Sequence, residues 1–568
     1  MRKIIIILLF IGIFKSVYSQ NLLPTVWQIS FADTTKNEKV QFTSMNWQPV
    51  NLYLSWERQG FSSLLGKCCL TTNFTVPTNL KDENFNFSIG LHCDISEVYI
   101  NDILISGNLP NNFWTNRNSK TIYPLPKNCL RPGHTNRIEI FASGLSYTGG
   151  RTYNTCSISS ANSSKTETVK IDIQKKEHLF LKNEKDILLQ IKYSTSKSGQ
   201  LSLCVDNDFH DTLFFKTYKV NPADSLLHVD LSKILTIPGF YECTATLHSI
   251  GYSTHTQWLA LSPEEIQCKT ETKPTIKQYW EDALKELNTV APDFKMHKVD
   301  SLSVGTKDGY VVEMRSVGNL IIRGYYFVPR TPGKHAVIIQ MPGYGTGFQN
   351  VKPFIDNTEN VAELALCVRG HGISSDVFNP GFEVPGMWGY KLYSKTENAY
   401  RSIYMDCVRA VEFLISRPEI DSTKIGVMGA SQGGGLTLAT AALCGNKIAA
   451  CAYFDPFPSD QRDVLKIRTI CKFELNSFLN YYKNPCSFED AMQVQDLIDT
   501  KNMAPWIKCP VFFATGLFDD DCPSHIGFSA YNKIQAPKEF KIYPNDSHLG
   551  ESNQYIQFWS FFKQKLNF

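Results

Sequence analysis

The chain predicts a multidomain protein in which two all-β sandwiches precede an α/β domain built on a mostly parallel sheet. Three observations predict it. At 568 residues the chain is too long for one hydrophobic core. Up to about residue 265, apolar residues recur in short runs separated by turn residues, the pattern of antiparallel sandwiches. Beyond about residue 275, apolar strands alternate with longer helical patterns, as α/β domains require.

Residues 1–19 read as an export signal. Arg2 and Lys3 precede an apolar run from Ile4 to Phe14, and Val17, Tyr18 and Ser19 offer a cleavage site. The run is shorter than the ~20 residues of a spanning helix, so the mature chain is expected to be secreted or periplasmic, with no membrane insertion. With 57 basic and 54 acidic residues the net charge is +3, and no basic stripe points to nucleic acid. Sixteen cysteines in a chain of this length are far below a disulfide scaffold, and no Cys/His spacing marks a metal site. Cys367, Cys407, Cys444 and Cys451 lie in apolar strand or helix patterns, where a thiol serves as a small buried hydrophobe. Neither a metal nor an organic cofactor is expected.

Residues 20–160 form the first predicted β-domain, with strand-like runs at Phe85 to Leu91, Val98 to Ile105 and Arg137 to Phe141. Asn101-Asp102 between two apolar triplets has the form of a two-residue hairpin, and Arg131-Pro132-Gly133 marks another reversal. The motifs Phe74-Thr75-Val76-Pro77, Glu97-Val98-Tyr99-Ile100-Asn101 and Leu130-x-Pro-Gly-x-x-Asn136-x-Ile138 resemble the jelly-roll, galactose-binding-like domain of β-galactosidase-type glycosidases. That resemblance implies a structural partner as readily as a sugar binder, and Trp47, Trp56 and Trp114 suit either a core or a sugar platform. A polar stretch from Ser157 to Thr168 reads as a linker. Residues 165–265 then show alternating runs at sandwich-like spacing, an immunoglobulin-like pattern. Cys204 and Cys243 are candidates to bridge its two sheets, although no tryptophan between them completes the antibody signature, and the domain reads as a spacer.

Residues 275–568 open with a predicted helix from Ile276 to Leu287. Ala336 to Met341 and Ala362 to Val368 are continuous apolar strands, and Tyr400, Ile403, Tyr404, Cys407, Val408, Val411 and Leu414 share one helical face. An apolar strand next runs into Gly429-Ala430-Ser431-Gln432-Gly433 and leaves it as a helix, the strand–turn–helix context of an α/β-hydrolase nucleophile elbow. Two later strands, near Val511 to Thr515 and Lys541 to Pro544, precede a closing helix whose apolar face holds Tyr555, Ile556, Phe558, Trp559 and Phe562.

Ser431 is the candidate nucleophile. It needs a base to take its proton and a carboxylate to orient that base, in the order Ser, acid, His. His548 follows the last strand, whereas His525, only six residues beyond Asp519, reads as a surface or pocket-wall histidine. Asp519, Asp520 and Asp521 all follow the preceding strand, and spacing does not choose among them. The backbone N–H of Gln432 and that of Tyr344, in the loop Pro342-Gly343-Tyr344-Gly345, are the candidate oxyanion donors.

Across about residues 275 to 568 the chain resembles the acetyl xylan esterases and cephalosporin C deacetylases. Pro342-Gly343-Tyr344-Gly345 stands where that family has His-Gly-Tyr, and Arg369-Gly370-His371-Gly372 for Arg-Gly-Gln-Gly. The likeness extends through Tyr404-x-Asp406-x-Val408-Arg409, Pro418-Glu419-Ile420-Asp421, the elbow, and Gly516-Leu517-Phe518-Asp519 with Cys522-Pro523. The resemblance implies Asp519 as the acid, His548 as the base, and Tyr344 and Gln432 as oxyanion donors. Pro342, His371 and Leu549 depart from the family's His, Gln and Glu; His371 and Pro456 are candidate pocket walls, beside the bulky Tyr344, Phe454 and Phe457. The β-domains are additions to the compact family plan, so its ring-like hexamer is not carried over and an oligomer stays open.

The expected function is a serine esterase that removes acetyl groups from an acetylated oligosaccharide or polysaccharide such as xylan. The alternatives are a serine peptidase or broad carboxylesterase of the same fold, and a carbohydrate-binding protein without catalysis.

Overall fold

The computed structural model describes residues 22–24, 26–31, 47–52, 59, 68–78, 84–91, 94–107, 121–143, 152–160, 167–249, 252–268, 275–345, 347–348, 358–381, 387–548 and 554–568. The export signal, Trp56, Trp114 and Leu549 lie outside them.

In the first β-rich unit, six antiparallel strands run in the order Gln48–Asn51, Val26–Phe31, Cys68–Thr75, Thr135–Ser143, Asp94–Ile100, Ile103–Gly107. A three-stranded sheet of Thr121–Pro124, Phe85–Leu91 and Thr152–Ser160 accompanies it. The expected hairpin is present: Asn101 and Asp102 have φ of 49° and 66°, the left-handed pair that such a turn demands. Asn136 explains why its motif has that spacing. Its buried carboxamide accepts from Arg131 N at 2.7 Å and Asn101 Nδ2 at 2.8 Å, and donates to the Arg131 and His134 carbonyls, tying the Pro-Gly turn to the hairpin. Trp47 lies half-buried in an open groove of about 840 Å³ that it shares with Gln28, Asn73 and Arg137.

The second β-rich unit pairs a three-stranded sheet (Thr168–Asp172, Leu188–Ser194, Leu226–Asp230) with a five-stranded one (Leu179–Phe180, Tyr252–Leu261, Gly239–His248, Gly199–Asn207, Thr212–Val220). Cys204 and Cys243 do not bridge these sheets. They sit on neighbouring strands of the same sheet, with Val205 opposite Cys243, and Cys204 turns its Sγ to Asp206 while Cys243 faces the core.

The nine-stranded sheet of the third unit runs Lys295–Lys298, Lys307–Ser316, Leu320–Pro329, Ala362–Cys367, His335–Gln340, Ile420–Ala430, Ala450–Phe454, Val511–Gly516, Lys538–Tyr543, and its last six strands are parallel. This is the α/β plan expected. Strand periodicity divides the buried residues between two cores. Val337, Ile339, Val427, Tyr453 and Phe513 face one side with helices Thr275–Asn288, Ala399–Ile415 and Gln432–Cys444. Ile338, Met428, Ala452 and Phe512 face the other, covered by Phe558, Trp559 and Phe562 of helix Gln554–Phe562. Ile556, expected on that apolar face, is exposed instead.

The motif residues at a distance from the serine hold this sheet together. Arg369 makes a bidentate pair with buried Asp406 at 2.7 and 2.9 Å, and its guanidinium also donates to the Val317 carbonyl at 2.9 Å. Tyr404 OH donates to Ile498 O, and Arg409 donates to the carbonyls of Leu287 and Val290. Buried charges paired this way fix one arrangement of loop and helix, because losing either partner strands the other in the core.

Candidate active site

Ser431 separates strand Ile420–Ala430 from helix Gln432–Cys444 with φ 57° and ψ −126°, a conformation that costs a non-glycine residue about 1–3 kcal/mol. Its neighbours are glycines for want of room. A Cβ on Gly429 would come within 2.5 Å of the Gly433 backbone, and one on Gly433 within 2.6 Å of Met341 O. Ser431 N donates to Phe454 O at 3.0 Å, and Ser431 O accepts from Gly435 N and Phe457 N. The strained turn is thus held on both sides, leaving the hydroxyl half-buried at the helix N-terminus.

The loops after the last two strands meet beside it. Phe518 N donates to Asp546 O at 2.9 Å and Leu517 N to Tyr543 O at 3.1 Å, which brings Asp519 against His548. Asp519 Oδ1 accepts the backbone N–H groups of Asp521 and Cys522, both at 2.8 Å, while Oδ2 lies 2.7 Å from His548 Nδ1. With the Nδ1 proton directed at the carboxylate, Nε2 is left as the proton acceptor. Of the three competing aspartates, Asp519 is the one that meets the imidazole; Asp521 instead faces Arg468 at 3.8 Å. Cys522, on the same acid loop, places Sγ 4.0 Å from Ser431 Oγ.

Gln432 contributes more than its backbone. Its side chain is fully buried, donates to Gly343 O at 3.1 Å, accepts from Tyr400 OH at 3.0 Å and reaches His371 Nε2 at 3.0 Å. It therefore pins the loop carrying Tyr344 to the helix that begins at the serine. His371, expected as a pocket wall, has no exposed surface and lies beneath that loop. Burial holds its pKa below the usual range, and the neutral ring donates from Nδ1 to Arg369 O at 3.2 Å and accepts at Nε2 from Gln432. Pro456 is likewise buried, packed against Gly434 and Gly527 of two helices. The half-buried Tyr344 and Phe457 both contact Trp388: the Tyr344 hydroxyl accepts from Trp388 N at 3.4 Å, and the Phe457 ring lies 5.0 Å from the indole.

A second carboxylate–histidine pair lies nearby. His525, expected at a surface or pocket wall, is buried, with Nδ1 2.7 Å from Asp208 of the second β-rich unit and Nε2 3.8 Å from Asp463. Against the cost of burial, Asp208, Asp463 and Asp460 push its pKa up to about 10, so the ring is an imidazolium at neutral pH. Phe209 stacks edge-on at 5.1 Å, and His210 Nε2 meets Ile467 O at 2.8 Å. Among the described residues, two groups have metal-ligand spacing: Asp455, Asp519 and His548 beside the serine, and Asp460, Asp463 and His525 here. In the second, Lys501 and Lys466 pair with Asp460 and Asp463 at 2.6 and 2.5 Å, so lysines already occupy its carboxylates.

Sequence reasoning missed Asp208, which belongs to a domain read as a spacer, and Asp455. The latter had a signal, an aspartate directly after the apolar strand Ala450–Phe454.

A model of the acetyl xylan esterase (AXE1) family matches residues 258–566, more than half of the chain. The chain belongs to this family. As an acetyl xylan esterase family member it is a carboxylic ester hydrolase and a carbohydrate esterase. Acetyl esterase Axe7A of Xylanibacter ruminicola is 27% identical over 334 residues, which cover 57% of this chain and 74% of that protein. Acetyl xylan esterase 1 from a Thermoanaerobacterium species is 26% identical, with 53% of this chain and 97% of that one covered at a TM-score of 0.49. The acetyl xylan esterase of a Paenibacillus species gives 26% identity, 54% and 98% coverage, and the same TM-score.

Proposed function

We propose that this family member removes acetyl groups from acetylated oligosaccharides or polysaccharides, xylan fragments among them, through an acyl-enzyme on Ser431. The observation that carries the reading is the buried Asp519–His548 pair, 2.7 Å across, beside a strained, half-buried serine. His548 takes the Ser431 proton as the hydroxyl attacks the ester carbonyl, then delivers it to the departing sugar oxygen. Asp519 orients the ring and stabilises its positive charge. The N–H groups of Gln432 and Tyr344 stabilise the developing oxyanion, each contributing roughly 3 to 4 kcal/mol in comparable sites. Water then repeats the sequence on the acetyl-serine, releasing acetate.

The two β-rich units are a jelly-roll-like and an immunoglobulin-like sandwich. Support for the second is Tyr241, two residues before Cys243, whose hydroxyl donates to Ile237 O in the manner of a tyrosine corner. Export through residues 1–19 places the enzyme where polymeric glycans occur. No helix among the described residues is long and apolar enough to cross a membrane. The test is acetate release from acetylated xylo-oligosaccharides by the wild type and by Ser431→Ala. Release by the wild type and a loss on the order of a millionfold in the variant are expected. Efficient hydrolysis of nitrophenyl acetate without acetate release from any acetylated saccharide would discard the substrate while keeping the chemistry.

A further inference from the structure

Asp455 follows strand Ala450–Phe454 with φ 37°, is wholly buried, and lies against the proposed catalytic acid. Its Oδ1 accepts from Thr515 Oγ1 at 2.5 Å, and that hydroxyl is 2.7 Å from Ser524 Oγ. Its Oδ2 has no donor, although it is sealed from solvent. Single ligand atoms of Asp455, Asp519 and His548 all lie within 4.8 Å of one another. The donors around these two carboxyl groups are unequally shared. Asp519 takes two backbone N–H groups and the imidazole N–H, whereas Asp455 takes the Thr515 hydroxyl and the Gly516 backbone N–H. Among the described residues no lysine or arginine pairs with Asp455; the titratable groups facing it are Asp519, His548 and the Cys522 thiol.

Two carboxylates this close in a buried site do not both ionise, and the one with fewer donors keeps the proton. We propose that Asp455 is a neutral carboxylic acid that donates a hydrogen bond from Oδ2 to the Asp519 carboxylate, making it a positioning residue for the acid–base pair. The proton satisfies the orphaned oxygen and gives Asp519 a further donor. Burial, then the Asp519 charge, raises the Asp455 carboxyl well above the usual carboxylate range, in agreement with the geometry. The consequence is electrostatic: His548 faces one negative charge instead of two, and so remains an unprotonated base to lower pH.

The inference rests on Asp519 and His548 as the acid and base, and its test is separable from theirs. Asp455→Asn replaces the neutral acid with a neutral group of the same shape, whose amide donates to Asp519 and whose carbonyl accepts from Thr515. Its kcat/KM is expected to stay within a few-fold of wild type, and the acid limb of its kcat/KM–pH profile to stay in place. Removal of a charge so close to the base would instead move that limb to lower pH, and such a shift, or a large loss in folded Asp455→Asn, overturns the proposal. Asp455→Leu removes the donor, and kcat is expected to fall on the order of a hundredfold with little change in KM. Full activity in folded Asp455→Leu would also overturn it. Should the leucine variant fail to fold, the infrared difference spectrum of wild type against Asp455→Asn decides: a protonated carboxyl band at neutral pH present only in wild type is expected, and its absence contradicts the assignment. Failure of the triad itself would show as activity surviving in Asp519→Asn, a different result.

Discussion

His548 and His525 are both buried, and each holds a carboxylate 2.7 Å from Nδ1. Only the first stands beside a strained serine. The difference lies in what surrounds the second ring nitrogen. His525 Nε2 faces the further carboxylates of Asp463 and Asp460, which keep the ring charged, and a charged imidazole cannot accept a proton. A carboxylate–histidine pair is therefore either a base or an ion-pair clamp, according to how many negative charges face the ring. Were Asp455 ionised, the Asp519–His548 pair would move toward the electrostatics of the clamp.

The largest effect expected from breaking this comparison is at the first pair. Asp519→Asn leaves the shape intact but favours the wrong imidazole tautomer, so turnover should fall about ten-thousandfold. Asp520→Asn and Asp521→Asn should be mild by comparison in the same steady-state assay. Equal effects from all three would remove Asp519 from its role.

At the second pair the expected loss is of stability. Breaking a buried ion pair costs about 3 to 5 kcal/mol, so Asp208→Asn should unfold at markedly lower denaturant while its folded form keeps near-wild-type kcat. The pH dependence has a definite sign. Because folding raises the His525 pKa from 6.5 to about 10, its stabilisation is complete below about 6.5 and is lost as pH rises through about 10. The stability gap between wild type and Asp208→Asn should therefore be wide at pH 6 and narrow toward pH 10; a gap constant across that range contradicts the imidazolium. A fragment of residues 275–568 loses both Asp208 and Phe209, and should hydrolyse a small acetate ester yet unfold at a lower temperature than the full chain. If that fragment is folded and inert, the clamp is part of the catalytic apparatus.

Much of the esterase-family unit was legible because its signals are local. The elbow needs glycines at fixed offsets, and the parallel strands are continuous apolar runs, so Ser431 and the sheet follow from pattern. The choice of Asp519 came from the family motif alone, because it depends on which carboxylate the turn of Asp521 and Cys522 aims at His548, and spacing carries no direction. His525 and His371 were misplaced for a related reason. A histidine's burial depends on partners from distant segments, here Asp208 more than 300 residues earlier and Gln432 on another helix. The cysteine bridge failed because Cys204 and Cys243 lie on neighbouring strands, a pairing that composition does not reveal.

The smallest expected effect concerns the acyl group. Each added methylene in a fitted pocket changes discrimination by about 1 to 3 kcal/mol, so propionyl esters should be partly accepted and butyryl and octanoyl esters disfavoured stepwise. Tyr344 and Phe457, which both contact Trp388, are the walls proposed for that exclusion. The kcat/KM series should be the same in wild type and Asp208→Asn, because the clamp lies outside the acyl site; a changed series would join the two pairs into one.

If the Asp519–His548 pair serves Ser431, turnover passes through an acetyl-serine. The most direct test is acid-quenching wild-type protein during turnover of nitrophenyl acetate and mapping any added acetyl group by peptide mass. One acetyl group is expected on the peptide containing Ser431, formed in a burst of nitrophenol and absent from Ser431→Ala. An acetyl group on any other residue, or equal labelling of Ser431→Ala, would contradict it.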